Sequence, residues 1–254
     1  MEPYQFFAGI YDEYMDNVDY AGWAEYLVRT LSAHGISDGL VLDLGCGTGT
    51  MTELLAKAGY EMIGLDASDE MLAEAMDKKE QSGLDILYLC QQMQDFELFG
   101  TVRAVISVCD CLNYLLEPED LVKTFRLVNN YLDPGGLFVF DMNTPCAYRQ
   151  IGEMTIAENR EDSSFIWENF FDEDSGINEY ALTLFLKRQD GLYEKKEEVH
   201  NQRAYAKEEV FKMLQKANLE ILAIYDAYTL DPPREDSTRL TFIARENGKK
   251  EFSY

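Results

Sequence analysis

From Tyr20 to Ala33 the apolar side chains of Trp23, Leu27, Val28 and Leu31 return every three or four positions. That spacing puts them on one face of a 3.6-residue turn and predicts an amphipathic helix. The rhythm then changes. Leu40-Val41-Leu42-Asp43-Leu44 is a short, nearly continuous apolar run closed by glycines, the pattern of a strand buried on both faces of a parallel sheet. Met51 to Ala58 reads as a second helix, stopped at Gly59, and Glu61 to Asp66 as a second strand. Asp69 to Lys79 reads as a helix with Ser68 as its N-cap and acids in its first turn. Ile86 to Cys90, Ala104 to Val108 and Leu137 to Asp141 supply three more strands, and the helix Leu121 to Tyr131 is stopped by the turn Asp133-Pro134-Gly135-Gly136. Strands alternating with helices in this way predict a doubly wound, mostly parallel α/β sheet with right-handed crossovers.

After Thr144-Pro145 the alternation breaks. Phe165 to Trp167, Tyr180 to Lys187 and Tyr193 to His200 read as extended segments, separated by the turn signals Asp-Glu-Asp-Ser-Gly and Gln-Asp-Gly. They predict an antiparallel β insertion over residues 145–205. The α/β rhythm resumes with a helix at Lys207 to Ala217 and strands at Leu219 to Tyr228 and Leu240 to Arg245. The expected organisation is an α/β core over 1–144, the insertion, and a completion of the core sheet to seven strands over 206–254. At the chain start, Tyr4, Phe6, Phe7, Tyr11 and Tyr14 alternate with acids, which suits either a helix laid over a site or simple core packing.

Charge narrows the partners. The 254 residues carry 22 basic and 47 acidic side chains, a formal net charge of -25. Such a field repels phosphate backbones and anionic headgroups and attracts cations or amines, so it argues against nucleic acid. The N-terminus lacks the basic start and apolar run of a signal peptide, and no apolar stretch approaches the roughly 20 residues of a membrane span. The expectation is a cytoplasmic protein with no membrane contact, as a monomer or homodimer. Five cysteines are scattered, and the tight pair Cys109-Asp110-Cys111 lacks the two-residue spacer of zinc sites. Buried thiols are expected, and no metal.

The candidate chemistry lies where the first strand ends. Gly45, Gly47 and Gly49 stand at every second position, and glycines between a buried strand and a helix let a ligand approach free backbone amides. A dinucleotide loop would read G-x-G-x-x-G; here the third of those positions is Thr50. Asp43 precedes the loop and no Lys or Arg follows until Lys57, so a phosphate would face an uncompensated carboxylate while a cation would be welcomed. Asp66, ending the second strand, is spaced to accept both hydroxyls of a ribose and would repel a 2′-phosphate.

Val41 to Gly49 resembles motif I of the class I S-adenosylmethionine-dependent methyltransferases, and Gly64 to Ser68 resembles their second motif. The likeness runs in order through Asp133 to Gly136 and Leu137 to Asn143, covering roughly Tyr11 to Asn143. Within that family the chain is most similar to small-molecule members of the kind that dimethylate amino sugars, and to uncharacterised bacterial members. The resemblance implies a Rossmann-like methyltransferase fold with S-adenosylmethionine as donor and S-adenosylhomocysteine as product. It implies that Asp43 and the backbone of Gly45, Cys46, Gly47 and Gly49 face the methionine portion. Asp66, with Ala67 beside it, would hold the ribose, and Met71 would cover the adenine or simply join the core. Gln92 and Met93 match the motif that meets the adenine amino group, with Gln92 where an acid is commonest; its carbonyl oxygen can still accept. Tyr11 and Trp23 would close the site from the N-terminal side, with core packing the favoured reading of Trp23.

Methyl transfer from a sulfonium is an in-line displacement with a neutral leaving group, so alignment and water exclusion matter most. An amine acceptor must lose a proton, and His200, Asp110 and Tyr114 are the candidates to help. Cys109 and Asn113 follow the fourth strand, at the edge where α/β sheets bind ligands. Asn113, Trp167 and Arg203 are candidates to meet the acceptor, with the 145–205 insertion as its lid or as a dimer interface. The expected activity is methylation of a small-molecule acceptor, nitrogen slightly ahead of oxygen. A non-catalytic sensor of the donor and a nicotinamide-dependent oxidoreductase are the alternatives.

Overall fold

The computed structural model describes residues 4–249. Helices α1 (Ala8–Tyr14) and α2 (Tyr20–Ala33) lead into β1 (Leu40–Leu44), α3 (Thr50–Lys57), β2 (Glu61–Asp66), α4 (Asp69–Ser82), β3 (Ile86–Cys90) and β4 (Val102–Ser107). A 3-10 turn at Cys111–Tyr114 precedes α5 (Pro118–Tyr131) and β5 (Leu132–Asn143). Then come α6 (Pro145–Ile151), four strands β6 (Thr155–Asn159), β7 (Ser163–Asp172), β8 (Ile177–Lys187) and β9 (Tyr193–Arg203), and finally α7 (Lys207–Lys216), β10 (Leu219–Asp226) and β11 (Arg239–Glu246).

Seven strands form one sheet in the order β10-β11-β5-β4-β1-β2-β3, and β6 to β9 form a second, antiparallel meander. In the large sheet β11 alone runs against its neighbours, pairing antiparallel with both β10 and β5. The fold is therefore the Rossmann-like α/β sheet expected, with the antiparallel addition as a separate sheet. Two details differ from the sequence reading. The Asp-Pro-Gly-Gly segment lies within the span of β5, where the pairing to β4 jumps from Val102↔Leu132 to Ala104↔Leu137: the extra residues are absorbed as a bulge. Residues 145–151 form a helix because Thr144 caps it, accepting from the amide of Ala147, and Pro145 begins it without needing a donor.

Neighbouring residues of β1 face opposite ways, and both faces are covered. Leu42 and Leu44 pack with Phe125, Phe138, Phe140 and Phe242, while Val41 packs with Leu27, Leu31, Met51 and Leu55 from α2 and α3. This double burial is why the strand reads as a continuous apolar run. Phe140 stacks on Phe242 at 4.9 Å across a β5–β11 register pair. From β1 the chain winds one way to β2 and β3 and the other way to β4 and β5. The strand order reverses there, which opens a crevice at the carboxyl ends of β1 and β4.

The aromatic N-terminal segment spans that crevice. Phe7 and Tyr14 pack with Phe165, Leu182 and Leu184 on the inner face of the second sheet. At its other side Asp12 accepts from Thr48 Oγ1 at 2.7 Å and pairs with Lys78. Core and insertion are thus bridged by a segment of little more than ten residues, whose aromatic side chains join a hydrophobic cluster.

Candidate functional site

The loop after β1 is built by backbone, not side chains. Gly45, Gly47 and Gly49 have φ of 83°, 54° and 76°, values that L-residues adopt only at a cost of roughly 1–2 kcal/mol. At Gly45 space forbids a side chain as well, because a Cβ would lie 2.8 Å from that of Cys111. A Cβ on Gly47 would meet nothing within 4 Å: that backbone faces open space. The amides of Gly45 and Cys46 donate to the carbonyl of Leu65 at 2.7 and 3.0 Å, tying the loop to the end of β2.

Two acids flank it. Asp66 accepts from the amide of Gly47 through one oxygen at 2.8 Å and from Ser68 through the other at 3.0 Å. Its carboxylate thus ties the loop to the end of β2. Asp43 is 1% exposed, and its Oδ2 accepts from Thr52 Oγ1 at 2.6 Å. Its Oδ1 is buried and has no hydrogen-bond partner among the described residues. Burial pushes the Asp43 carboxyl up to about 7, opposed by Thr52 and reinforced by the nearby Asp66. An orphaned carboxylate oxygen of this kind is costly, and a cation beside it would relieve the cost.

Both acids line a pocket of about 500 Å³ at the carboxyl edge of the sheet. Gly45, Cys46, Gly47 and Ala67 form its floor, and Met71, Gln92 and Met93 flank it on the β2 and β3 side. Tyr11, Cys109 and Tyr114 close it opposite. Met71 is also 2% exposed, so it is packed as core where it meets the pocket. Gly49 sits one step behind the lining, where a Cβ would run into Tyr88.

The remaining sequence candidates lie in the walls behind the pocket. Trp23 stacks on Tyr228 at 4.1 Å and belongs to the α2 side of the core. Asp110, at a positive φ of 51°, pairs with Arg239 and accepts from Gln202 Nε2 at 2.7 Å; burial pushes its carboxyl up while Arg239 pulls it back. Asn113 is fully buried and staples two backbones, donating to the carbonyls of Asn143 and Arg203 and accepting from the Asn143 amide at 3.0 Å. Trp167 meets Tyr180 edge-on at 4.8 Å within the inner face of the second sheet. Arg203 donates to the carbonyl of Leu116 at 3.3 Å and lies over the ring of Tyr205. His200 is buried between Tyr114 and Glu198.

Several contributors were missed by sequence reasoning. Tyr4, Tyr20 and Cys111 line the pocket. Asp141, at the end of β5, is fully buried and accepts from the amides of Cys109 and Asp110 at 3.1 and 2.7 Å, from Arg239 at 3.1 Å and from Tyr228. An acid ending the fifth strand was a visible signal for Asp141; Arg239, 98 residues further on, had none. Among the described residues no Lys, Arg or His lines the pocket, whereas Glu117 and Asp120 add two further acids.

Known proteins share this arrangement. The family described as a methyltransferase domain matches residues 41–136. The putative methyltransferase YqeM of Bacillus subtilis is 33% identical over 96% of this chain and 97% of its own length. A crystal structure of an S-adenosylmethionine-dependent methyltransferase from Clostridium acetobutylicum superposes with a TM-score of 0.86 at 29% identity, covering 95% of this chain and 98% of the other. The sugar N-methyltransferase KedS8 from a Streptoalloteichus species has the same fold, with a TM-score of 0.78 at 20% identity over 94% of this chain and 93% of its own. With a glycine loop flanked by two acids, the reversed strand order around it and near full-length likeness to these relatives, the chain belongs to the class I S-adenosylmethionine-dependent methyltransferases.

Proposed function

We propose that this protein transfers the methyl group of S-adenosylmethionine to a small molecule, with an amine nitrogen as the preferred acceptor. The observation that carries the reading is Asp43: among the described residues its buried carboxylate oxygen has no partner, at a pocket that none of them lines with a basic side chain. The donor carries an ammonium and a sulfonium, and both suit that field.

The residues present fit the donor. Asp43 and the open backbone at Gly47 would receive the methionine portion, Asp66 the ribose hydroxyls, and Met71, Gln92 and Met93 the adenine. When bound, S-adenosylmethionine supplies a methyl group on a positively charged sulfur that leaves as a neutral thioether. The protein's own contribution is to hold the acceptor in line and keep water out. Tyr4, Tyr11 and Tyr20 line the N-terminal side of the pocket, and the bridged segment above them favours an acceptor small enough to be enclosed. The net charge of -25 favours a basic one, and the fold is shared with a protein titled a sugar N-methyltransferase. A nicotinamide oxidoreductase fits less well, since a pyrophosphate would lie among acids with no basic partner.

Turnover tests the proposal. Release of S-adenosylhomocysteine is measured with glucosamine and spermidine as amine probes and catechol as an oxygen probe. Methylation of an amine is the expected result; donor binding with no turnover of any probe would favour a sensor. Asp66→Ala should weaken S-adenosylhomocysteine binding about 10- to 100-fold by calorimetry, the scale of hydrogen bonds to a charged group; an unchanged Kd would contradict the ribose role. The third outcome concerns Asp43. Its carboxyl sits near 7 in the folded state against an ordinary value of ~3.9. The folded protein therefore holds a proton that the unfolded chain releases, and this stabilisation, complete below the unfolded value, is lost as pH rises through 7. Urea unfolding of the ligand-free protein should show a larger loss of stability from pH 5 to pH 8 in the wild type than in Asp43→Asn, and the variant should bind S-adenosylhomocysteine more weakly at pH 8. Parallel pH dependences would remove the assignment.

A further inference from the structure

Four polar groups run in a line from the pocket into the antiparallel sheet. Tyr4 and Tyr114 both line the pocket, and their hydroxyls lie 2.6 Å apart. Tyr114 Oη is 3.2 Å from Nδ1 of His200, and Nε2 of His200 is 2.9 Å from Oε2 of Glu198. His200 is 5% exposed and Glu198 2%.

The direction of these bonds follows from what each atom can do. Glu198 accepts the backbone amides of Tyr4 at 3.1 Å, of Phe7 at 3.0 Å and of Phe6. Burial pushes its carboxyl up, but the hydrogen bonds from His200, Phe6 and Phe7 outweigh burial and leave it below the ordinary value. A carboxylate can only accept, so Nε2 of His200 must donate. A neutral His200 then carries its lone pair on Nδ1, and Tyr114 donates its single proton there. Tyr4 in turn must donate to Tyr114. Burial holds both phenols well above their ordinary range, so both stay protonated. Tyr4 Oη is left as an acceptor at the pocket surface, at the head of a chain in which every proton points inward.

We propose that Tyr4, Tyr114, His200 and Glu198 form a proton relay that takes the proton an amine acceptor must lose. The assignment rests on the amine reading above. One N–H bond of the acceptor breaks and nitrogen keeps the electron pair. The proton goes to Tyr4 Oη, the proton of Tyr4 goes to Tyr114, and that of Tyr114 goes to Nδ1 of His200. The imidazolium so formed faces the Glu198 carboxylate, and turnover returns the proton to solvent. Tyr4 is the group placed to touch the acceptor; Tyr114 and His200 pass the proton on and Glu198 positions and stabilises His200. The same carboxylate holds the amides of residues 4, 6 and 7, so the relay is complete only while the N-terminal segment is docked.

The tautomer of His200 tests this without any acceptor. The sequence has two histidines, and Nδ1 of His34 lies 2.9 Å from the carbonyl of Thr30, which can only accept. Two-bond proton–nitrogen spectra of the full-length protein at neutral pH should therefore show one Nδ1–H ring, His34, and one Nε2–H ring, His200. Glu198→Gln keeps one oxygen for the amides of Phe6 and Phe7, gives up the bond from the Tyr4 amide and turns an NH₂ toward His200, which should flip it to the Nδ1–H tautomer with no lone pair facing Tyr114. With the amine probe that the wild type turns over, kcat of Glu198→Gln should fall about 100-fold or more, the scale of general-base catalysis, with KM and the Kd for S-adenosylhomocysteine changed less than about threefold. An Nδ1–H or doubly protonated His200 in the wild type would overturn the relay, as would wild-type kcat in the flipped variant. Loss of S-adenosylhomocysteine binding in the wild type itself would instead strike the methyltransferase reading, and the tautomer would still be read.

Discussion

Asp141 is the constraint around which the functional end of the sheet is arranged. Its carboxylate ends β5 with no exposed surface and takes hydrogen bonds from two consecutive amides, from Arg239 and from Tyr228. A buried charge left unpaired would cost several kcal/mol, so these partners are obligatory rather than decorative. Cys109 and Asp110, whose amides it holds, have φ of 61° and 51°, a conformation that side chains other than glycine resist. The carboxylate offsets that strain. Arg239, from β11, shares itself between Asp141 and Asp110 and lies 5.8 Å from the ring centroid of Trp23. One ion cluster thus fixes β5, β11, the turn after β4 and the face of α2, and with them the wall carrying Cys109.

From that turn the order passes to the insertion. Gln202 of β9 donates to Asp110 and accepts from Tyr148 and Tyr180, and Asn113 joins the ends of β5 and β9. The second sheet is therefore not an appendage but is keyed to the loop that borders the pocket. Its inner face takes up the aromatic N-terminal segment, and Glu198 fastens the segment's backbone. A hydrophobic cluster supplies the affinity; the carboxylate supplies the register.

Much of the fold was legible in the sequence, because parallel strands buried on both faces leave unbroken apolar runs and amphipathic helices leave spaced ones. The glycine turn was legible too: Gly45, Gly47 and Gly49 lie between β1 and α3, although Asp66 reaches the Gly47 amide from 19 positions on. What could not be read was which way a side chain faces once the chain leaves its own strand. Trp23, Trp167 and Arg203 carry the chemistry of ligand-binding residues and sit one layer behind the pocket. Asp110 lies next to the lining residue Cys109 in sequence yet turns the other way, toward Arg239. Partnerships such as Asp141 with Arg239 or Tyr4 with Glu198 join residues 98 and 194 positions apart, and no local pattern encodes them. The Asp-Pro-Gly-Gly segment misled in the opposite sense: its turn chemistry is real, but β5 absorbs it as a bulge against β4.

The loop, the two acids and the absence of any basic side chain among the described lining residues all bear on one claim, that the pocket holds a cationic adenosyl ligand without phosphates. Calorimetric titration of the folded protein with S-adenosylhomocysteine, beside NADH, measures it directly. Saturable binding of the first and none of the second is the expected result. Binding of NADH alone, or of neither, would contradict a donor site at Gly45 to Gly49.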